Sequence, residues 1–476
     1  MQQQGISMTF YAVLLGYFIV VLAIGYWTGK GKKNSEEHLL AGRSIGWMVG
    51  GAALAATQMS AGTFVGTMGV HWMTGASYTW FWPGLWAGWV VSAVWIAPKF
   101  QKFKALTVPD YVEKRYNSKT AKAIAAVLIV IAYTVFLIGQ YVAGGILLQT
   151  IFGIPSFWGC AITIAITMTY TLKGGMKAST YSDFVQGIIM AGCFFAAIPV
   201  LVMQAGGLGY IGTFLTELNP RLTGWWYSGK DLLGFALVFG LSMAVMPYEL
   251  ARMYTLRDQR TVKLAIGISF VFQAIVGLSV SLGGMGMRSL YPVLATGDAA
   301  SSLMSITVLP PLVGALLVVA ILSAIMSTVS GIMLVSSAAI SHDLYGIINP
   351  KATDDEKMKL NKIMCLVLAV IPFYFALNPF DMVQFIVMLQ SSLVSSFFFP
   401  IVAFGLNWKG ATKAGAIASM ITGMLVVPIW IKLGKPFGLH EVFPGVILST
   451  LALLIVSRFS EKVPAASLAP FFDDVK

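Results

Sequence analysis

The sequence predicts an all-α integral membrane protein of about thirteen transmembrane helices. Three observations carry this. The chain is 57% hydrophobic and only 11% charged, whereas soluble domains carry roughly 25% charged residues. It divides into thirteen apolar segments near the ~20 residues that a helix needs to cross the hydrocarbon core. Its basic residues then fall almost wholly on one side of those segments.

In chain order the segments are 8–28, 46–70, 76–98, 123–151, 157–172, 181–203, 231–251, 264–287, 309–340, 363–378, 382–406, 414–431 and 440–457. The first has no basic leader and is too long for a signal core, so it reads as an uncleaved helix. The segment 76–98 carries Trp80, Trp82, Trp86 and Trp89, the kind of set that anchors a helix at the membrane interface. The segment 309–340 is longer than one crossing requires, so tilt or a protruding end is expected. Cys160, Cys193 and Cys365 all fall in apolar segments without metal-ligand spacing and read as small buried side chains.

With the N-terminus outside, 26 of the 31 Lys and Arg residues lie in cytoplasmic segments, including Lys30, Lys32, Lys33, Lys104 and Lys476. Only Arg221, Lys230, Arg288, Lys432 and Lys435 lie outside. One span too many or too few would break the alternation, so the bias supports an odd number of crossings and a cytoplasmic C-terminus in a cell membrane. The net charge of +12 then reflects topology and contact with anionic lipid, and no nucleic-acid partner is expected.

Polar residues within apolar segments point to function. Ser327 and Thr328 are adjacent hydroxyls in a long apolar run, with small Ala324 and Gly331 beside them. They can offer oxygens to a bare cation, or bond back to the carbonyl one turn earlier. The segment 46–70 gathers Thr57, Gln58, Ser60 and Thr63 among small residues that permit unwinding, and 231–251 holds Gly234, Gly240, Ser242 and Pro247, with Glu249 and Arg252 at its end. Gly- or Pro-interrupted helices at matching positions of two inverted halves mark transporter binding sites. If 1–45 is set aside as an extra helix and loop, these segments head two five-helix groups, 46–203 and 231–406. Five is odd, so the second group runs in the opposite sense. Residues 407–476 then supply two extra helices and a short tail.

Four passages resemble the sodium:solute symporter family, which includes bacterial proline and pantothenate symporters and animal sodium–glucose transporters. They are Tyr170 to Ala178 followed by Ser182, Asp183 and Gln186; Ala324 to Ser330 followed by Ser336, Ser337 and Asp343 to Tyr345; Ala56 to Ser60 preceded by Gly42 to Ser44; and Trp408 to Ala416, whose basic residues are displaced from the family pattern. The similarity runs from about residue 8 to 458. It implies a LeuT-like fold, a ten-helix core of two inverted repeats, and coupled inward movement of Na⁺ and a small organic solute by a monomer. Carried over by position, Na⁺ would be held by the carbonyls of Ala56, Met59 and Ala324 and the hydroxyls of Ser327 and Thr328. Asp183 matches an acidic residue on sodium's cytoplasmic route, although a helix-start carboxylate favoured by the macrodipole accounts for it equally well. Gln58 departs from the proline symporters, which carry an Asp there.

Positions matching the pocket and gates are Gln58, Thr63, Trp80, Trp82, Gln140, Tyr141, Phe239, Met243, Tyr248, Gln390 and Ser391. His71 is read as an interface residue, with a proton relay as the alternative. No charged residue falls deep in this region, so a carboxylate-bearing solute held by helix ends and amides is favoured: a monocarboxylate, pantothenate or an amino acid such as proline. Proton coupling, sugar transport and an ion channel are the alternatives. An enzyme is not expected, because no His-Glu-x-x-His, Gly-x-Ser-x-Gly or buried acid pair is present. The short segment after the last span is expected to exclude a fused sensor domain.

Overall fold

The computed structural model describes residues 7–28, 35–103 and 105–472. Of the basic residues used for the charge argument, Lys30, Lys32, Lys33, Lys104 and Lys476 lie outside the described residues. Helix α1 is Met8–Thr28. Helix α2, Trp47–Gln58, breaks and resumes through a π turn, Gly62–Thr67, into α3, Met68–Thr74. Helix α4, Phe81–Val91, continues through a second π turn into α5, Ala97–Phe103. A short helix α6, Val108–Tyr116, precedes the long α7, Lys119–Phe152.

Helix α8 runs over Ser156–Gln204, 49 residues, or about 73 Å at ~1.5 Å per residue. That is more than twice the ~30 Å hydrocarbon core, so it holds two crossings. The turn between them is Gly175, at φ 60° and ψ −150°. A Cβ there would meet the His38 ring at 2.5 Å, and the positive φ also excludes most side chains.

The second half mirrors the first. Helix α9, Gly229–Val245, breaks at Met246 and resumes as α10, Pro247–Thr255. Then come α11, Gln259–Leu290; a short α12, Ala300–Thr307; and α13, Pro311–Ala338, which winds on through a π turn, Ala339–Leu344. Helix α14 is Asp354–Ala376. Helix α15, Val383–Phe397, is followed directly by α16, Phe399–Asn407, and the chain closes with α17, Lys413–Lys432, and α18, Val442–Phe459.

Among the described residues, ten helical stretches are long and apolar enough to cross a membrane. The broken α2–α3, the π-interrupted α4–α5 and the second arm of α8 bring the crossings to the expected thirteen. Some boundaries moved. Helix α14 starts nine residues before the expected 363, because Thr353 and Glu356 form a reciprocal capping box that starts the helix in its charged, membrane-edge turn.

Burial sorts the helices into layers. The most apolar windows of Pro311–Ile348 and Val383–Asn407 are 83% buried, whereas those of α1 and α18 are 22% and 28% buried. A helix that is apolar all round and buried all round sits at the centre. Helix α13 accordingly packs against α8, α7, α1 and α2. Ile45 pairs with the end of α10 through Ile45 N to Thr255 O and Arg257 N to Ile45 O, both 3.2 Å, so the two broken helices are tied together at one face of the membrane.

On that same face, the Lys122 ammonium is paired with Asp110, with Glu113 at 2.9 Å and with Asp343 at 3.4 Å. The cluster pins α6 to α7 and to the end of α13. Burial alone would raise the Asp110 carboxyl, but His342 and Lys122 outweigh it and hold it below the usual carboxylate range. With the folded value below the unfolded one of about 3.9, the stabilisation is present above about pH 4 and is lost as pH falls further. Asp110→Asn is expected to lower the melting temperature at pH 7. The gap to the unsubstituted protein should shrink towards pH 3 in thermal-unfolding scans, and a gap of constant size would contradict the assignment.

Candidate ion and solute site

The site grows out of the two helix breaks. Helix α2 makes its last bond from Met59 N to Ala55 O at 3.0 Å, and Met59 leaves helical geometry at ψ 88°. In hydrocarbon every backbone group freed by such a break needs a partner. Three side chains from other helices supply one. Ser327 Oγ donates to Ala56 O at 2.8 Å, Thr328 Oγ1 donates to Thr57 O at 2.8 Å, and Gln140 Oε1 accepts from Ala61 N at 3.0 Å. At the second break Pro247 has no N–H to lose, and Tyr248 N donates to Tyr133 Oη at 2.9 Å.

The expected ion ligands are therefore gathered across two helices. Ser327 Oγ also lies 3.1 Å from Ala324 O, so one hydroxyl faces two carbonyls, one on its own helix and one on the broken helix. Thr328 reaches only across. The bland alternative, bonding back within the helix, describes half of Ser327 and none of Thr328. Met59 sits at the break itself. All these donors are neutral oxygens, and the set suits a hard cation if the hydroxyls turn their lone pairs inward.

A polar track leads from this point to a buried ion pair. Ser330 Oγ bonds Ser327 O at 3.0 Å and Ser179 Oγ at 2.9 Å. Ser179 reaches Asp183 Oδ2 at 3.2 Å, and Thr57 reaches the same oxygen at 3.4 Å. Arg252 Nη2 pairs with Asp183 Oδ2 at 2.6 Å and donates to Ser179 at 2.9 Å. Asp183 is wholly buried, so it is no exposed helix-start carboxylate. Glu249, one turn before Arg252, is also buried, and neither of its oxygens has a hydrogen-bond partner among the described residues. Sequence reasoning noted Glu249 and Arg252 but did not join them to Asp183. The signal was available, since ionisable residues in a membrane span mark function, but their meeting is a matter of packing.

Beside the ion site is a narrow cavity of about 40 Å³. Of the pocket and gate candidates, Gln58, Thr63, Trp82, Phe239, Tyr248 and Ser391 line it. Tyr248 Oη donates to Gln58 Oε1 at 3.3 Å, and Trp82 Nε1 to Ser281 Oγ at 3.1 Å. The other five are elsewhere. Trp80 is 57% exposed and stacks on Trp225. Gln140 lies behind the break that it caps, and Tyr141 packs beside Cys160, whose Sγ bonds its carbonyl at 3.0 Å. Met243 is buried outside the lining, and Gln390 Nε2 points at Met246 Sδ, 3.6 Å away. His71 is also buried, not interfacial, with ring nitrogens bound to Thr67 O and Thr79 Oγ1.

The lining adds Ser60 and Ser242, which the sequence marks only as polar residues of the two broken segments, and Thr67, Phe136 and Gln384, which it does not mark. Two were legible in spacing. Gln384 lies seven residues before Ser391, on the same helix face, and Thr67 lies four after Thr63. No Lys, Arg, Asp or Glu lines the cavity. On the face opposite the Asp183–Arg252 pair, a Cβ at Gly69 would meet Gly297 at 2.7 Å, Asp298 Oδ2 accepts from Val383 N at 3.0 Å, and Gln384 Nε2 donates to Tyr78 Oη at 2.8 Å.

Comparison with known proteins agrees with this geometry. Residues 38–423 match the profile of the sodium:solute symporter family. The chain is 32% identical to sodium/proline symporter 2 of Staphylococcus saprophyticus, over 98% of this chain and 96% of that protein. It is 30% identical to the sodium/proline symporter of Staphylococcus aureus, over 97% and 94%. Among solved structures, a substrate-bound, outward-open Na⁺-coupled sialic acid symporter aligns with a TM-score of 0.83 at 18% identity, covering 96% of this chain and 99% of that one. MhsT in complex with L-phenylalanine aligns with a TM-score of 0.58 at 14% identity, over 90% and 99%. The fold is the LeuT fold, and the match across most of the chain makes this protein a member of the sodium:solute symporter family, a transporter and not an enzyme.

Proposed function

We propose that this protein carries a small carboxylate-bearing solute into the cell together with Na⁺, by alternating access and as a monomer, with its N-terminus outside and C-terminus in the cytoplasm. Residues 46–203 and 231–406 act as the two inverted repeats, flanked by 1–45 and 407–476. The observation that carries the reading is the meeting of Ser327 Oγ with the carbonyls of Ala56 and Ala324. A cation bound there links α2, whose residue Gln58 lines the solute cavity, to α13. Ion and solute then stabilise the same arrangement of one broken helix, which is what coupling requires. The ion's own positive charge also favours an anionic group in a cavity that has no basic side chain.

Among carboxylates, proline is the first solute to test, because the relatives of about 30% identity are named sodium/proline symporters. By the family resemblance Gln58 stands where proline symporters carry an Asp, and the neutral amide leaves attraction of Na⁺ to dipoles. Asp183 and Arg252 are assigned to the ion's exit towards the cytoplasm.

Purified protein in proteoliposomes should show saturable uptake of one of proline, pantothenate or lactate, driven by an inward Na⁺ gradient. Glucose and a proton gradient serve as the competing arms. Uptake driven by protons alone, or fast Na⁺ flux without solute, would overturn the proposal. Ser327→Ala and Thr328→Ala should each raise the Na⁺ concentration for half-maximal uptake by about ten- to a hundredfold, the worth of a hydrogen bond to a charged group. Thr328→Ser should retain coupling.

The buried ion pair makes a separate prediction. Arg252→Ala leaves two buried carboxylates without a cation and should destabilise the protein by about 3–5 kcal/mol. Glu249→Gln changes a buried carboxyl whose oxygens have no hydrogen-bond partner among the described residues and should melt no earlier than the unsubstituted protein. Thermal unfolding in detergent reads both, and an early-melting Glu249→Gln variant would show that the carboxylate has a partner.

A further inference from the structure

A second, larger cavity lies away from the ion and solute, in a groove of about 660 Å³ between α4, α9 and α16. Its origin is a seam of small residues. A Cβ on Gly84 would lie 2.4 Å from Ala236, and one on Gly88 would lie 2.1 Å from Gly240 O. The two backbones therefore touch. Beside that seam no long side chain fills the space, and α16 forms the third wall with Ala403 and Phe404. The neighbouring surface is apolar and open: Val94, Trp95 and Leu233 are 62%, 59% and 54% exposed.

Charge marks one end of this groove. Apart from the Trp95 indole, Asn407 is the one polar side chain in its lining. Lys99, one turn beyond Trp95, donates to Asn407 Oδ1 at 2.8 Å and to Leu406 O at 3.1 Å. Among the described residues no carboxylate lies within ion-pair distance of it. An ammonium has three donors, so one donor and the whole charge remain for a further partner. From Gly84 to Ile96 the groove follows twelve residues, about 18 Å along the helix, close to the ~15 Å hydrocarbon depth of one leaflet.

We propose that this groove binds an anionic phospholipid, with an acyl chain along the α4–α9 seam and the headgroup phosphate at Lys99. Length, apolar lining and a lone cation at one mouth match that ligand together. Helix α9 leads into the break at Met246 and α16 follows α15, which carries Gln384 and Ser391. A lipid seated here touches elements that shape the solute cavity, so the anionic-lipid content of the bilayer sets the stability of their arrangement.

The test is binding, which is independent of the solute and of the direction of transport. The full chain in nanodiscs of palmitoyl-oleoyl phosphatidylcholine, with and without the corresponding phosphatidylglycerol, is compared by thermal shift and by native mass spectrometry of retained lipid. Phosphatidylglycerol should raise the melting temperature and remain bound in preference to phosphatidylcholine. Lys99→Gln should weaken the preference about fivefold, the worth of one basic residue at a lipid headgroup. Ala403→Phe, which fills the groove, should reduce retention of both lipids. Glycerol 3-phosphate, which has the headgroup charge but no chain, should give no shift. Equal phosphatidylglycerol preference in Lys99→Gln, undiminished retention in a folded Ala403→Phe, or a full shift with glycerol 3-phosphate would each overturn the proposal.

Discussion

Everything in the core follows from the need to satisfy backbone groups at a helix break where no water competes. Helix α2 stops at Gln58 because the chain there turns through Met59. The carbonyls of Ala56 and Thr57 are then met by Ser327 and Thr328, and the Ala61 N–H by Gln140. Each unmet group would cost several kcal/mol in hydrocarbon. The break therefore exists only because α13 and α7 present hydroxyl and amide groups at its level, and these same oxygens are what a cation can use. Structure and ion site are one solution to one constraint.

The second constraint is charge. Asp183, Arg252 and Glu249 are all buried, and Arg252 and Asp183 are in direct contact at 2.6 Å. Such a pair is weak evidence for stability, because desolvation offsets its attraction. Its place is more telling. The pair connects α8 with α10, the arm that follows the second break, and hydroxyls of Thr57, Ser179 and Ser330 run between it and Ser327. Two broken helices are thereby linked through one polar track, so a change at the ion's oxygens is felt at the guanidinium.

Much of this was legible in the chain. Thirteen crossings follow from apolar length and the placement of Lys and Arg, because hydrophobic burial and the positive-inside bias are properties of segments and need no neighbours. The hydroxyl pair and the small-residue break were visible as polarity where polarity is costly. The solute cavity was read less well. Gln390 and Ser391 are adjacent, yet only Ser391 reaches it, since neighbouring residues on a helix point about 100° apart and the sequence does not say which face looks inward. Trp80 and Trp82 divide in the same way, one exposed and one lining the cavity.

The sequence by itself determined the class of protein, the number of crossings, the segments that break and, through its resemblance, the family. Each of these rests on local composition or on a contiguous motif. Tertiary structure decided that Ser327 bonds a carbonyl 271 residues away, that Asp183 is paired with Arg252, and that Glu249 stands beside them without a hydrogen-bond partner among the described residues. Those outcomes depend on the rotation and depth of each helix against its neighbours. Side-chain packing between helices sets both, and no single helix encodes it.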